Sequence, residues 1–273
     1  MNSKQGRQAL YSIEHVRYLR RIRVRRRIIV LLQIMLLISA FAIWEAAADY
    51  GWINQFITSK PSRAWTAVVN LFNRGELWRH LGYTIGETCL GFSVGTMAGI
   101  IVAAMLWWSD FISKILDPYI VILNSVPKVA LGPIFIVWLG TGLKAVVAMA
   151  IATSVIVTIM VVHNGFKNID PNKIKLMHTF GATRLQIFTK VVIPASIPTM
   201  IAALKVSVGL SLVGTIVGEF LGSKAGLGYL IVYGGQIFNM SLVMAAVIML
   251  SIVSALLYYI VVLLERKVVK YNH

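Results

Sequence analysis

Charge is what this sequence has least of. Asp, Glu, Lys and Arg make up only 13% of its 273 residues, about half the share of an ordinary soluble domain. That scarcity excludes a globule solvated on every side. Acidic residues are scarcer still, 10 against 26 Lys and Arg. Cysteine occurs once, at Cys89 inside an apolar run, so no intrachain disulfide can form and the redox compartment is left open. The five histidines are dispersed, and no His, Cys, Asp and Glu group has metal-ligand spacing. No Gly-x4-Gly-Lys-Ser/Thr loop occurs either. Its nearest look-alike, Gly218 to Lys224, lacks the Gly-Lys pair. Paired catalytic carboxylates and triad arrangements are also missing, so the chain reads as neither a nucleotide binder nor an enzyme.

What is present is apolar length. Hydrophobic residues make up 58% of the chain, gathered in runs of the roughly 20 residues that a bilayer-spanning helix needs. Six runs are expected to span: Ile28–Ala48, His80–Trp108, Tyr119–Leu139, Ala145–Val162, Ile197–Leu221 and Ser241–Leu264. The third is interrupted by Pro127 and Pro133, which predict a kink or a break. No small-residue cleavage site closes the first run, so it is expected to stay as a span and not to be removed as a signal peptide.

The basic residues test this topology. With the N-terminus inside, Lys60, Arg63, Arg74, Arg79, Lys144 and Lys224 fall outside, and Lys128 and Lys205 fall within spans. The remaining 18 are cytoplasmic, the excess that the positive-inside rule expects. The fold class is thus all-α integral membrane with six spans and both termini cytoplasmic. Residues 1–27 form a basic tail, 28–264 the six-span transmembrane domain and 265–273 a second short tail. Arg17 to Arg27 then hold the first span's orientation and touch anionic headgroups. Nucleic-acid binding is not needed to explain the charge.

Two smaller patterns concern packing. In the first outer loop Pro61 suits a first helical turn, and Trp65, Val68, Val69 and Phe72 recur at helical spacing up to Gly75. The spans around residues 90 and 215 carry Gly82, Gly86, Gly91, Gly95 and Gly99, and Gly214, Gly218 and Gly222. Small residues about four apart let helices approach closely in lipid, either as fixed contacts or as sliding faces.

The segment 163–197 carries the function. Asp170-Pro171 can open a short helix, continued by Ile174, Met177 and Phe180 up to Gly181. Gly181 permits a sharp turn, and a second helix is expected from Ala182 to Val192, with Pro194 and Pro198 resetting the direction as the chain re-enters the membrane. This segment resembles the EAA loop of ATP-binding-cassette importer permeases: Glu-Ala-Ala, three residues, Gly, nine residues, then Ile-x-Leu-Pro. Gly181, Val191, Ile193 and Pro194 stand at the matching positions, and Lys175, Leu176 and Met177 replace the triplet. Asn124 to Pro133, Trp138 to Gly142 and Gly218 to Gly228 are similar to segments of the nitrate, sulfonate, taurine and bicarbonate branch, departing from it at Lys128 and Gly132.

The resemblance implies a type I (MetI-like) importer permease fold with a five-helix core and one added N-terminal helix, in the cell membrane. It also implies two permease copies, presumed identical, two cytosolic ATPase subunits and an external solute-binding protein. ATP and Mg would sit on the ATPase, with no cofactor on this chain. Lys175, Leu176, Met177, Phe180, Gly181, Ala182, Thr183 and Pro194 would dock the ATPase. A small anionic solute is expected, with a vitamin precursor or other heterocycle as the alternative. An ion-coupled secondary transporter would need inverted repeats, which the sequence does not display. Asn124, Ser125, Lys128, Ser211, Thr215 and Glu219 are the candidates for the pathway. For Lys128 snorkelling to the interface is the competing fate, as a structural role is for Glu219, and Lys205 is expected to snorkel.

The topology makes a direct prediction. A reporter enzyme fused after His273 is expected to be active only on the cytoplasmic side; activity on the outer face would overturn the six-span order.

Overall fold

The computed structural model describes residues 13–269, and side chains for most of these. They form two compact units, one ending at Arg63 and the other beginning at Ala64, and among the described residues only helices and turns occur. In the first unit α1 (Ile13–Asp49) runs unbroken from the basic segment through the first apolar run. At 1.5 Å per residue its 32-residue span Tyr18–Asp49 is roughly 48 Å long, well beyond the ~30 Å hydrocarbon core. The Arg-rich part is therefore a helical extension of the span. The part of the basic tail at residues 1–12 lies outside the described residues, as do 270–273 of the second tail.

The chain after α1 folds back onto that helix's own end. Lys60 pairs with Asp49 at 2.7 Å and Glu45 at 3.3 Å, and the Ser62 amide and hydroxyl donate to the two Glu45 oxygens at 2.9 and 2.7 Å. The short helix α2 (Gln55–Thr58), capped by Asn54, lies within this return. Hydrogen bonding to Asp49 raises the Lys60 ammonium above its ordinary range.

The expected amphipathic helix α3 (Pro61–Asn73) has its first three residues in the first unit and the rest in the second, and is closed by Gly75 at φ +73°. Its buried face is Ala64 and Leu71, with Val68 against the core. Trp65, Val69 and Phe72 from the expected stripe are exposed, so the apolar stripe is wider than the face it buries. Then follow α4 (Glu76–Trp108), α5 (Asp110–Ser125), a 3-10 turn (Lys128–Leu131), α6 (Gly132–Leu139) and α7 (Leu143–Lys167). The rest is α8 (Pro171–Thr179), α9 (Arg184–Ile187), a π turn (Phe188–Val192), α10 (Ile193–Gly222), α11 (Leu227–Gln236) and α12 (Met240–Val269).

Five described helices are long and apolar enough to span. The bent pair Asp110–Ser125 and Lys128–Leu139, which meet at 88°, makes six if it is counted as one broken span. The expected span Tyr119–Leu139 is thus corrected: it starts at Asp110, because Ser109 caps a new helix there, and it breaks at Val126-Pro127. Proline disfavours a helical residue before it, and the Lys128 ammonium donates to the Asn124 carbonyl that the break leaves free. The other spans match in order and are longer at their ends.

The core is a sandwich with α7 between α4 and α10. Gly91, Gly95 and Gly99 of α4 face Ala150, Ser154 and Thr158 of α7, and Gly214 and Gly218 of α10 face α7 at Met149, Ala150 and Val146. Gly82 and Gly86 have open space instead. A Cβ at Gly218 would stand 2.8 Å from the Val146 Cα, a backbone atom that cannot yield. Gly218→Val is therefore expected to lower stability in detergent by about 1–3 kcal/mol through overpacking, whereas Gly86→Ala is tolerated; thermal unfolding of the two variants checks this, and equal melting points would refute it.

Candidate functional site

The elbow between α7 and α10 is built from local signals. Asp170 accepts from the Asn172 N–H at 2.9 Å and Pro171 occupies the first turn of α8, as a helix start requires. The helix ends in a Schellman arrangement: the Gly181 N–H donates to His178 O at 2.9 Å, and the Ala182 N–H donates to Met177 O at 3.0 Å. Gly181 sits at φ +72°, where a Cβ would be strained. Thr183 then opens α9 in a capping box: its hydroxyl accepts from the Gln186 N–H at 3.3 Å, and its own N–H donates to the Gln186 side chain at 2.8 Å.

The second half of the elbow is not a separate helix. From Arg184 to Gly222 the chain runs as one 39-residue rod, so the expectation that Pro194 and Pro198 reset its direction is corrected. The ring of Pro194 has no N–H and would crowd the carbonyl four residues back. A π turn absorbs this, with the Ile193 N–H reaching Phe188 O across five residues, and Pro198 is carried inside the helix.

The base of the elbow is locked onto the end of α4. The Arg184 guanidinium lies 5.5 and 5.7 Å from the ring centres of Trp107 and Trp108 and donates to Trp107 O at 3.4 Å. Phe188 meets Trp107 at 4.9 Å, Phe166 at 5.7 Å and Trp108 at 6.2 Å. Ile187 and Val192 are buried among them, with Met177, Ile174 and Ala182 packed against the same cluster. The outer surface is different. Lys175, Leu176, Thr183 and Leu185 are exposed, and Phe180 is 75% exposed. An aromatic ring this open on a fixed scaffold invites a partner.

The residues considered for the pathway do not share one recess. Asn124, Ser125 and Lys128 lie at the break between α5 and α6, where Ser125 is exposed and the other two are partly so. Ser211, Thr215 and Glu219 are buried on α10. Glu219 accepts from the Thr84 hydroxyl at 2.6 Å and from the Gly228 N–H at 2.5 Å; Thr215 lies 3.1 Å from the Thr88 hydroxyl. Lys205 is ion-paired with Glu265 at 2.7 Å, a carboxylate just past the end of the last predicted span, so the partner that its side chain reaches is supplied by α12.

Three groups of this architecture escaped sequence reasoning. Glu87, a lone acid within a span, is buried beside Glu219; its position in an apolar run was the available signal. Gln186 completes the capping box, and Thr183-x-x-Gln186 announced it. Arg184 against Trp107 and Trp108 joins residues 77 apart, and no local pattern signals such a contact.

At the end of the rod far from the elbow, the chain turns through Ser223–Gly226 into α11. A recess of about 400 Å³ opens there, lined by Arg74, Arg79, Lys224, Glu76, His80 and Tyr229 among others.

Comparison with known proteins converges on this architecture. Residues 95–270 match the family described as "Binding-protein-dependent transport system inner membrane component". A probable ABC transporter permease protein of Haemophilus influenzae is 31% identical over 218 residues, 80% of this chain and 88% of its own length. The putative aliphatic sulfonates transport permease protein SsuC of Escherichia coli is 26% identical over 86% of this chain and 89% of its own. The formylaminopyrimidine transport permease protein ThiX of Halalkalibacterium halodurans is 27% identical over 68% and 74%. Among solved structures, the inward-facing MetNI methionine ABC transporter superposes with a TM-score of 0.64 at 21% identity, covering 72% of this chain and 97% of that one. The chain therefore belongs to the binding-protein-dependent transport system inner membrane components, as a non-catalytic, multi-pass permease subunit of an ABC importer whose ATPase is a separate subunit.

Proposed function

We propose that this permease passes a small anionic solute of the sulfonate, taurine, nitrate or bicarbonate kind, received from an external solute-binding protein. In this reading two identical copies sit on two cytosolic ATPase subunits that hold the ATP and Mg, residues 28–264 form the permeating domain, and the flanking tails face the cytoplasm. Lys175, Leu176, Met177, Phe180, Gly181, Ala182, Thr183 and Pro194 belong to the elbow that engages the ATPase. Asn124, Ser125, Lys128, Ser211, Thr215 and Glu219 are assigned to the pathway and its walls.

The observation that carries the coupling role is Phe180, 75% exposed just before the left-handed turn at Gly181 while the elbow beneath it is clamped to Trp107 and Trp108. An apolar knob on a rigid mount can enter a groove on a partner. Because α9, the π turn and α10 form one continuous helical run, a push on the elbow is passed on to the span. The aromatic clamp delivers the same push to α4. ATP-driven approach of two ATPases would then tilt both rods and exchange inward-facing for outward-facing geometry. Anion transfer is supported by the cationic lining of the recess, where Arg74, Arg79 and Lys224 outnumber Glu76, and by the likeness to an aliphatic sulfonates permease.

Phe180→Asp is expected to weaken co-purification with the ATPase roughly 30-fold, the loss of about 2 kcal/mol at a contact hot spot, and to abolish uptake. Membrane insertion and melting temperature should be retained, because the ring touches little of its own chain. Undiminished transport by this variant would overturn the coupling role. In the same vesicles, competition of uptake by an alkanesulfonate supports the anionic reading, and competition by a formylaminopyrimidine alone would refute it.

A further inference from the structure

Glu87 on α4 and Glu219 on α10 are 2% and 1% exposed, yet among the described residues no ion pair involves either. Thr84 and Thr88, on either side of Glu87 along α4, meet Glu219 and Thr215 of α10 at 2.6 and 3.1 Å, and this register sets the two buried carboxyl groups against each other. Two carboxylates have four acceptor lobes and no donor between them, so a hydrogen bond between the two groups requires a proton on one. A second negative charge at that distance, away from water, would be strongly repelled.

The surrounding donors decide which group carries the proton. Glu219 accepts from the Thr84 hydroxyl at 2.6 Å and from the Gly228 N–H at 2.5 Å. It also sits at the N-terminus of α11, where helix dipoles favour an anion. Glu87 has none of these contacts, and its Oε2 has no partner at all. Glu219 is therefore the carboxylate and Glu87 the acid that donates to it.

The pair is wired to the corner that joins α10 to α11. Three successive amides there are taken by side chains from the packed spans. Gly226 N–H donates to His80 Nδ1 at 3.1 Å, Leu227 N–H to Thr84 Oγ1 at 2.8 Å, and Gly228 N–H to Glu219. These are the first N–H groups of α11, which a helix cannot satisfy itself. Thr84 relays between the two systems, accepting from Leu227 while donating to Glu219. The other titratable groups nearby are His80, stacked on Tyr229 at 6.0 Å, Tyr229 itself, and the exposed Glu76, Arg79 and Lys224 at the end of the bundle. From α7 the nearest in chain order is the exposed Lys144, and the titratable groups of α5 are Asp110, Lys114, Asp117 and Tyr119.

We infer that Glu87 and Glu219 form a site for a single proton inside the membrane domain, and that this acid–carboxylate bridge is the latch that ties α4 to α10 and holds the α10–α11 corner closed. The bridge joins the spans that the elbow moves at their other end, so the corner is held at the end of the lever remote from the elbow. The inference does not depend on the solute. Glu87 and Thr84 act here as positioning residues through Glu219.

The test uses the full-length permease in lipid nanodiscs, with wild type, Glu87→Gln and Glu219→Gln compared by infrared spectroscopy and by hydrogen exchange of the peptide covering 223–230. The carboxamide of Glu87→Gln can still donate to Glu219 without a titratable proton. It should erase a protonated-carboxyl C=O band that shifts in D2O, while leaving the corner amides as slow as in wild type. Glu219→Gln offers one acceptor oxygen where two are used, so exchange at the corner should quicken about tenfold or more. A wild-type spectrum without that band, a band that survives Glu87→Gln, or a corner that is indifferent to Glu219→Gln would each overturn the inference. Melting temperatures within a few degrees of wild type for Glu87→Gln show that a lost band reports the proton and not a lost fold.

Discussion

The approach of α7 to α4 on one side and to α10 on the other is the contact on which the rest of this protein depends. In lipid there is little hydrophobic gain in pressing one apolar helix against another, so association relies on close packing and on polar groups that find partners inside. Gly91, Gly95 and Gly99 let α7 approach α4, and Gly214 and Gly218 let it approach α10. The hydroxyls of the sandwich are then shared across helices: Thr158 with Ser207 at 2.6 Å, and Thr153 with the Leu210 carbonyl at 2.9 Å. Without that proximity neither the elbow nor the buried acids would have a frame.

On this frame the two ends of α10 are treated differently. At the elbow end, aromatic rings and a guanidinium close around Phe188, a contact that tolerates the polarity of an interface because Trp and Arg each present an apolar body and a polar edge. At the other end, the chain must leave one helix and begin another within four residues, and its free amides must be satisfied. His80, Thr84 and Glu219 do this. Both ends belong to one continuous helical run, so the elbow is built into the span and is not a detached surface loop.

A permease of this design separates engine from cargo. The elbow leaves Phe180 and Leu176 exposed, as the proposed contact with the ATPase requires, and keeps Met177 and Ile174 for its own packing. Lys175 at the triplet's first position leaves the turn untouched, because its side chain is exposed and the Schellman bonds are made by backbone.

Much of this was legible in the sequence, and the reasons are local. Apolar runs set the number and order of the spans. Asp170-Pro171 and Gly181 marked a helix start and a left-handed stop, and the Pro127 and Pro133 interruption marked a break, because each signal acts within a few residues along the backbone. Tertiary structure alone decided the rest. Whether Pro194 and Pro198 redirect a helix or are absorbed by a π turn depends on the packing around Phe188 and Val192. Which partner the Lys205 ammonium meets depends on Glu265, 60 residues away, coming within 2.7 Å. Glu87 was one acid in an apolar run until folding set it against Glu219, more than a hundred residues on, and only that meeting turns two costly charges into a single shared proton.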